Sequence, residues 1–465
     1  MQSTEQTGTV RKPRVVVVGA GFAGINAAQK LGKLPVEVTV IDRTNHHTFQ
    51  PLLYQVALAV LSPGDIAQPI RRILSGHENI EVLMDEVRGI DVQARSLQLC
   101  SGAKAEYDYL ILATGSTHSY FAHPEWEKVA PGLKLIEDAT EIRRRVLLAF
   151  ELAERQMVET GTHPPLQFVI VGGGPTGVEL AGAISDISRL YMHKDFRHID
   201  PKTAKVLILE GSPHMLAAYP EDLQQKAIEQ LNALGVEVRT SAKVTDIQPG
   251  YVMVGDPPDT EKIESVCTLW AAGVKASPLG KALADSLGDA TILDRRGCVI
   301  VDGHLNPKGH SEIFLCGDLA HYEENGKLVP GVAQPAMQMG TYAAERIGLL
   351  VKDPAAAARQ KDFHYFDKGD MATIGRKAAV ARIAWPFHAH WSGFMAWLTW
   401  LTVHIFFLIG FRNRLSVFRS WAYTYIRFRD GVRLIVGSQD LPGWNALTKD
   451  DGLKKEGDTE VVVKS

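Results

Sequence analysis

The same glycine pattern occurs twice in this chain, and that duplication limits its possible folds more than any other feature. The first copy lies in RVVVVGAGFAGINAAQKL, where Val15 to Val18 form an unbroken β-branched run. Such a run reads as a strand buried on both faces, as in a parallel sheet. Gly19, Gly21 and Gly24 follow in G-x-G-x-x-G spacing, and an apolar helix opens behind them. The first glycine permits a tight turn, the second lets backbone approach a pyrophosphate, and the third lets helix pack on strand. Free N–H groups at the helix start complete an anion site. The next strand, VEVTVID, ends in Asp42, about 18 residues past Gly24, where an acid can accept both ribose hydroxyls.

The second copy, LQFVIVGGGPTGVELAGAI, places Gly172, Gly174 and Gly177 after another apolar strand, and AKVLILE ends in Glu210. Glu210 lies farther from its glycines than Asp42 does from its own, and the intervening SRLYMHKDFRHIDP reads as an inserted loop. YDYLILATG ends in Ala113, Thr114 and Gly115, about 100 residues past the first motif. CTLWAAG ends in Ala271, Ala272 and Gly273, about as far past the second. Two dinucleotide-binding units in one chain imply two dinucleotides, held so that hydride passes between them.

The remaining composition narrows the class. A chain of 465 residues has room for two or three domains. Fifty basic and 53 acidic residues leave a net charge of -3, so nothing argues for a nucleic-acid partner. Cys100, Cys267, Cys298 and Cys316 form no C-x-x-C pair, which argues against a disulfide framework, a metal site and a dithiol redox centre. The opening MQSTEQTGTVRKPR lacks the apolar stretch of a signal peptide, so the bulk of the chain is expected in the cytoplasm.

These motifs resemble those of the two-dinucleotide-domain flavoprotein oxidoreductases. The resemblance implies an α/β fold with two Rossmann-like domains of the glutathione-reductase kind. It implies FAD on the first motif, contacted by Gly19, Gly21, Phe22, Ala23 and Gly24, with Asp42 and Arg43 behind them. Ala113, Thr114 and Gly115 close that site, and EIFLCGDLA brings Gly317 and Asp318 to the ribityl chain. The second motif is then the site of a nicotinamide nucleotide, with Gly172, Gly174, Pro175, Thr176 and Gly177 at the phosphates and Glu210, Ala272 and Gly273 around them. Glu210 favours NADH over NADPH, because a carboxylate binds a 2′-hydroxyl and repels a 2′-phosphate. No arginine follows it within Gly211, Ser212, Pro213 and His214.

Electrons must leave the flavin, and cysteines offer no route. Disulfide reductases of this superfamily use a cysteine pair in the flavin domain, and sulfide:quinone reductases need cysteines beside the flavin. The gap from Cys100 to Cys267 leaves much of that region without one, and Cys316 reads as a packed thiol. Three stretches instead resemble type II NADH dehydrogenases: residues 45–67, VAQPAMQMG at 332–340, and the C-terminal portion from FDKGDMATIGRKAAVARI onward. By that resemblance Ala333 and Gln334 reach the flavin, and Gln334 and Gln338, four apart on one helix face, line a quinone pocket. On the residues alone, helix capping or surface polarity accounts for both glutamines equally well, and the resemblance tips the choice to the pocket. Glu179, in the first turn after Gly177, approaches flavin and nicotinamide in this family and is a candidate proton donor. Lys377 is assigned to stabilising reduced flavin or quinone anion, although a surface charge would read the same. The expected activity is non-electrogenic NADH:quinone oxidoreduction in a respiratory chain. The rivals are a sulfide:quinone oxidoreductase, another flavoprotein reductase and a non-enzymatic FAD- and NADH-binding sensor.

WSGFMAWLTWLTVHIFFLIGF, residues 391–411, carries no charge and is long enough to span about 30 Å of hydrocarbon. Basic residues flank it on both sides, Arg376, Lys377 and Arg382 before and Arg412, Arg414 and Arg419 after. Such flanks prefer the cytoplasmic side, so the segment is expected in or dipping into one leaflet. Leu415, Phe418, Trp421, Ala422 and Tyr425 then read as the apolar face of an interfacial helix. The expected plan runs as an FAD domain over 14–160 and 291–350, an NADH domain over 161–290, a membrane-associated region over 360–437 and a polar tail over 438–465. The protein would lie on the cytoplasmic face of the membrane as a monotopic protein, and the resemblance implies a homodimer.

Overall fold

The computed structural model describes residues 11–409, 411–427 and 433–436, and of residues 411, 412 and 422–427 the backbone alone. The expected tail over 438–465 lies outside them, as do the side chains of Ala422 and Tyr425.

The valine run forms the centre of a five-stranded parallel sheet. Its order is Ile313–Leu315, Tyr109–Leu112, Arg14–Val18, Glu37–Asp42 and Ile80–Met84. A second parallel sheet has the order Cys267–Trp270, Gln167–Val171, Lys205–Leu209 and Val236–Arg239. Strand for strand, the second sheet repeats the last four positions of the first. Each unit also carries a three-stranded antiparallel meander before its closing strand. One joins Val87–Asp91, Ser96–Leu99 and Lys104–Glu106; the other joins Val244–Gln248, Tyr251–Val254 and Glu261–Glu264. The duplication seen in the glycines therefore extends through the topology. The loop read as an insertion before Glu210 begins as a π-turn, Ile187–Tyr191, that prolongs the second motif helix.

Packing shifts the domain boundaries. Helix Leu279–Leu287 buries Leu283 and Ala284 among Val16, Val18 and Leu315 of the first sheet. The second unit thus ends before residue 279, not at 290. Helix Ile136–Thr160, assigned to the first unit, buries Ile142, Val146 and Phe150 against Phe168 and Ile170 of the second sheet.

The C-terminal portion is an antiparallel sheet, Gly369–Gly375, Ala378–Ile383 and Ala389–Ser392, followed by helices Gly393–Phe407 and Phe411–Arg427. The uncharged segment therefore starts on a strand, and its helix has 15 residues. Among the described residues no helix is long and apolar enough to cross a membrane. One face is core: Ala396, Trp397 and Trp400 are buried, and His404 stacks on Trp400 at 4.1 Å. Burial drives the His404 imidazole down to about 4, so it is neutral. Phe394, Met395, Leu398 and Phe406 point outward. The following helix corrects its expected apolar face: Asn413, Val417 and Trp421 are buried, while Leu415 and Phe418 are exposed beside Arg414 and Arg419.

Candidate functional site

The two glycine loops have the same backbone solution. Gly19 and Gly172 take φ of +94° and +113°, where a side chain is strained, and a β-carbon on either would press on backbone of the closing strand, at Ala113 or Ala271. A β-carbon on Gly24 would overlap the carbonyl of Gly19, and one on Gly177 that of Gly172. Gly21 and Gly174 cap the helices Phe22–Leu31 and Pro175–Asp186, and neither has an atom within 4 Å of an added β-carbon. Open space at the middle glycine, above a row of helix N–H groups, is what a pyrophosphate requires.

The acids are tied to these loops in matching fashion. Asp42 accepts from the Ala20 N–H at 2.6 Å and the Thr44 N–H at 2.7 Å. Glu210 accepts from the Gly173 N–H at 2.6 Å and the Ser212 N–H at 2.7 Å.

A cleft of about 820 Å³ runs along the first loop. Gly19, Gly21, Phe22, Ala23, Asp42 and Arg43 line it, with Ala113, Thr114 and Gly115 opposite. Gly317, Asp318 and Ala333 line its far end. Its size lies in the ~300–1,000 Å³ range of cofactor sites. Gly24 lies beneath the loop. A buried oxygen at the cleft, Thr114 Oγ1, has no partner among the described residues; neither has the buried Gln334 Oε1, on the helix that begins at Ala333. Asp318 is held by the Ser116 hydroxyl at 2.6 Å and Lys134 Nζ at 3.3 Å. An extended dinucleotide fits this donor set: N–H groups at the phosphates, an acid at a ribose, and a polar end at Asp318.

Thr176 and Glu179 of the second motif line that same cleft. The second helix is carried there by docking against the C-terminal sheet, where Gly182 meets the carbonyl of Ile374 with no room for a side chain. The Glu179 side chain is half-buried in the wall of the cleft, and desolvation pushes its carboxyl up to about 8, against a weaker downward pull from the Thr373 backbone. Gly172, Gly174, Pro175, Gly177, Glu210, Ala272 and Gly273 surround the second loop rather than the cleft.

Three expected residues, Gln334, Gln338 and Lys377, do not line the cleft. Lys377 is exposed at the turn between Gly369–Gly375 and Ala378–Ile383, with φ of +65°, and does not line the cleft. Gln338 shares a helix, Ala333–Lys352, with Gln334, but its amide clasps the Phe366 backbone. It donates to the Phe366 carbonyl at 3.1 Å and accepts from its N–H at 2.9 Å. Ser116, Lys134, Thr48 and Gln50 line the cleft and escaped sequence reading. Ser116 directly follows the ATG triplet, a usable signal; Lys134 carries none. Cys267, Cys298 and Cys316 are buried, and burial pushes each thiol up, Cys298 to about 11. Cys100 alone of the four is exposed. Among the described residues no cluster of His, Cys, Asp and Glu could hold a metal ion.

The pyridine nucleotide-disulphide oxidoreductase family model matches residues 13–340, and the NDH2 C-terminal domain model matches 368–430. The chain is a pyridine nucleotide-dependent flavoprotein oxidoreductase by fold and loop chemistry. The type II NADH:quinone oxidoreductase Ndh of Mycobacterium tuberculosis is 42% identical over 433 residues, 92% of this chain and 91% of that one. NdhA of the same organism is 41% identical over 430 residues, 92% of this chain and 90% of that one. This chain belongs to the type II NADH:quinone oxidoreductases. NDH2 from Plasmodium falciparum in complex with NADH shares the fold, with a TM-score of 0.78 at 20% identity, over 92% of this chain and 100% of that one. So does the sulfide:quinone oxidoreductase of Aquifex aeolicus, with a TM-score of 0.66 at 18% identity, over 90% and 96%.

Proposed function

We propose that this chain oxidises NADH and reduces a membrane quinone without moving charge across the membrane. The observation that carries the reading is the convergence of two nucleotide-binding helices on one cleft, Phe22 and Ala23 from the first and Thr176 and Glu179 from the second. FAD, when bound, takes the hydride of NADH and passes two electrons to the quinone. The first loop and Asp42 would hold the FAD phosphates and ribose, and Asp318, fixed by Ser116 and Lys134, its polar chain. The second loop and Glu210 would hold NADH. Glu179, neutral at physiological pH, is placed to give a proton as quinone is reduced. Gln334, one residue past the cleft-lining Ala333 and with its Oε1 unpartnered, is the better of the two glutamine candidates.

Phe394, Met395, Leu398, Phe406, Leu415 and Phe418 form exposed apolar surface interleaved with Arg414 and Arg419. That chemistry suits one leaflet of a bilayer, on the cytoplasmic face, where quinone and NADH are both within reach. A homodimer belongs to the same reading. Sulfide oxidation is the poorer account, since Cys267, Cys298 and Cys316 are buried, protonated thiols.

The test is steady-state oxidation of NADH, NADPH and sulfide in parallel by the FAD-loaded protein with a short-chain quinone. Turnover with NADH far above both rivals is expected. Flavin bleached by NADH and not restored by quinone would leave a protein acceptor or a sensor role.

A further inference from the structure

The segment that follows the ATG triplet carries an aromatic ring to the end of the second unit's closing strand. Ser116–His118 pairs antiparallel with Val274–Ala276, and the Ser119 N–H donates to the Gly273 carbonyl at 3.1 Å. The chain then turns back, with the His123 N–H on the Tyr120 carbonyl at 2.9 Å. Phe121 takes the first central position of that turn at φ of +53°, where glycine is the ordinary choice and a bulky side chain is strained. Its ring is 71% exposed and lies against Gly273, so that a β-carbon on that glycine would stand 3.3 Å from Phe121 Cζ. Val274, the next residue, is exposed as well.

Folding alone explains this arrangement poorly. The ring stays in water, so little is gained by burial, and glycine would relieve the turn. Yet the turn is held firmly. Tyr120 stacks on Trp270 at 5.0 Å, and its hydroxyl donates to the Ala130 carbonyl at 2.9 Å. Trp270 Nε1 donates to the Ser119 carbonyl at 2.9 Å, and its ring meets Phe121 edge-on at 5.8 Å. Strained backbone fixed by its surroundings clusters where proteins grip ligands.

The strand order says which ligand. Cys267–Trp270, Gln167–Val171 and Lys205–Leu209 are neighbours, so Gly273, the glycine loop and Glu210 stand in a row across their carboxyl ends. A dinucleotide with its adenine ribose on Glu210 and its pyrophosphate over Gly174 extends its nicotinamide half toward Gly273. The first unit has the matching row, Asp42, Gly21 and Ala113 to Gly115, and all of it lines one cleft. We propose that the Phe121 ring packs on the nicotinamide half of NADH and sets the affinity for it. This rests on the assignment of the second loop to NADH.

The experiment compares Phe121→Ala, Phe121→Gly and Phe121→Tyr in full-length, FAD-loaded protein with a short-chain quinone. It reads KM for NADH, flavin bleaching by limiting NADH and by reduced nicotinamide mononucleotide, inhibition by ADP, and flavin content. Losing the ring should raise KM for NADH about tenfold and slow bleaching by either reduced nucleotide to match, the scale of one aromatic contact and the area it covers. At saturating NADH kcat should stay within a factor of about two, the mark of lost binding rather than lost chemistry. Inhibition by ADP, which reaches the adenine half alone, should equal the parent's, as should flavin content. Phe121→Tyr keeps the ring and should return KM to that of the parent. Phe121→Gly suits the turn and decides alone if Phe121→Ala does not fold. Recovery of KM in Phe121→Gly, or ADP inhibition weakened as much as bleaching, would overturn the proposal. So would a parent flavin bleached by NADH with every Phe121 variant matching it. If NADH does not bleach the parent's flavin at all, the assignment of the second loop fails first.

Discussion

Gly182 lies against the carbonyl oxygen of Ile374, so close that a β-carbon would overlap it. This contact joins the second motif helix to the C-terminal sheet, and it places Glu179, one turn earlier, at the cleft. Gly182→Ala forces the two elements apart. An overpacked contact costs about 1–3 kcal/mol, and backbone on the far side makes relief harder. The expected result is a thermal midpoint lowered by several degrees, with quinone reduction falling further than flavin bleaching by NADH. A midpoint equal to the parent's would mean the contact is not tight.

Gly24→Ala and Gly177→Ala should separate the two nucleotides. Each added methyl meets the carbonyl of its own loop's first glycine, so each distorts one loop only. Gly24→Ala is expected to lower the flavin content of the purified protein. Gly177→Ala should keep flavin and lose most bleaching by NADH. Absorbance of the bound flavin, before and after NADH, reads both.

Glu179 makes the ligand-free protein less stable as pH rises. Its carboxyl holds its proton more tightly folded than unfolded, because folding removes it from water. Between the ordinary value of 4.5 and about 8 the native state carries the extra proton, so unfolding free energy falls across that window. The slope from this one group is at most about 1.4 kcal/mol per pH unit. Glu179→Gln should flatten the curve and leave the variant more stable above pH ~8. Parallel denaturant titrations at several pH values test it; an unchanged slope would show that the carboxyl is solvated.

The two faces of the C-terminal helices should separate stability from membrane binding. Trp400 is 1% exposed and Trp421 is 2% exposed, and truncating such a core aromatic to alanine costs about 3–5 kcal/mol. Phe406 and Phe418 are 69% and 54% exposed. Phe406→Ser with Phe418→Ser should leave the thermal midpoint nearly unchanged and weaken sedimentation with anionic lipid vesicles. Equal binding by the double variant would remove the leaflet from the proposed function.

What could be read from residues alone follows a physical division. A glycine at +94° or beneath a carbonyl is required by backbone within a few residues of it, so the loops, the acids and the paired sheets were all legible. The meaning of an apolar side chain is set by what lies opposite. Trp421, Leu415 and Phe418 share one helical periodicity, yet Trp421 meets Gln55 while the other two meet no core. Periodicity cannot tell a protein interior from a lipid one. The clasp of Gln338 on the Phe366 backbone was not legible for a related reason, since its partner comes from distant chain. The packing of helix Leu279–Leu287 was not legible because the helix follows the second unit in sequence and packs on the first.

The cysteine distribution has a practical side. Three thiols are buried, whereas Cys100 is exposed and its N–H bonds the carbonyl of Glu86, a residue lining the cleft. The native chain therefore comes with one addressable sulfur, set at the rim of its own binding site. A fluorophore attached there would sit within sight of an arriving nucleotide and need no engineered handle.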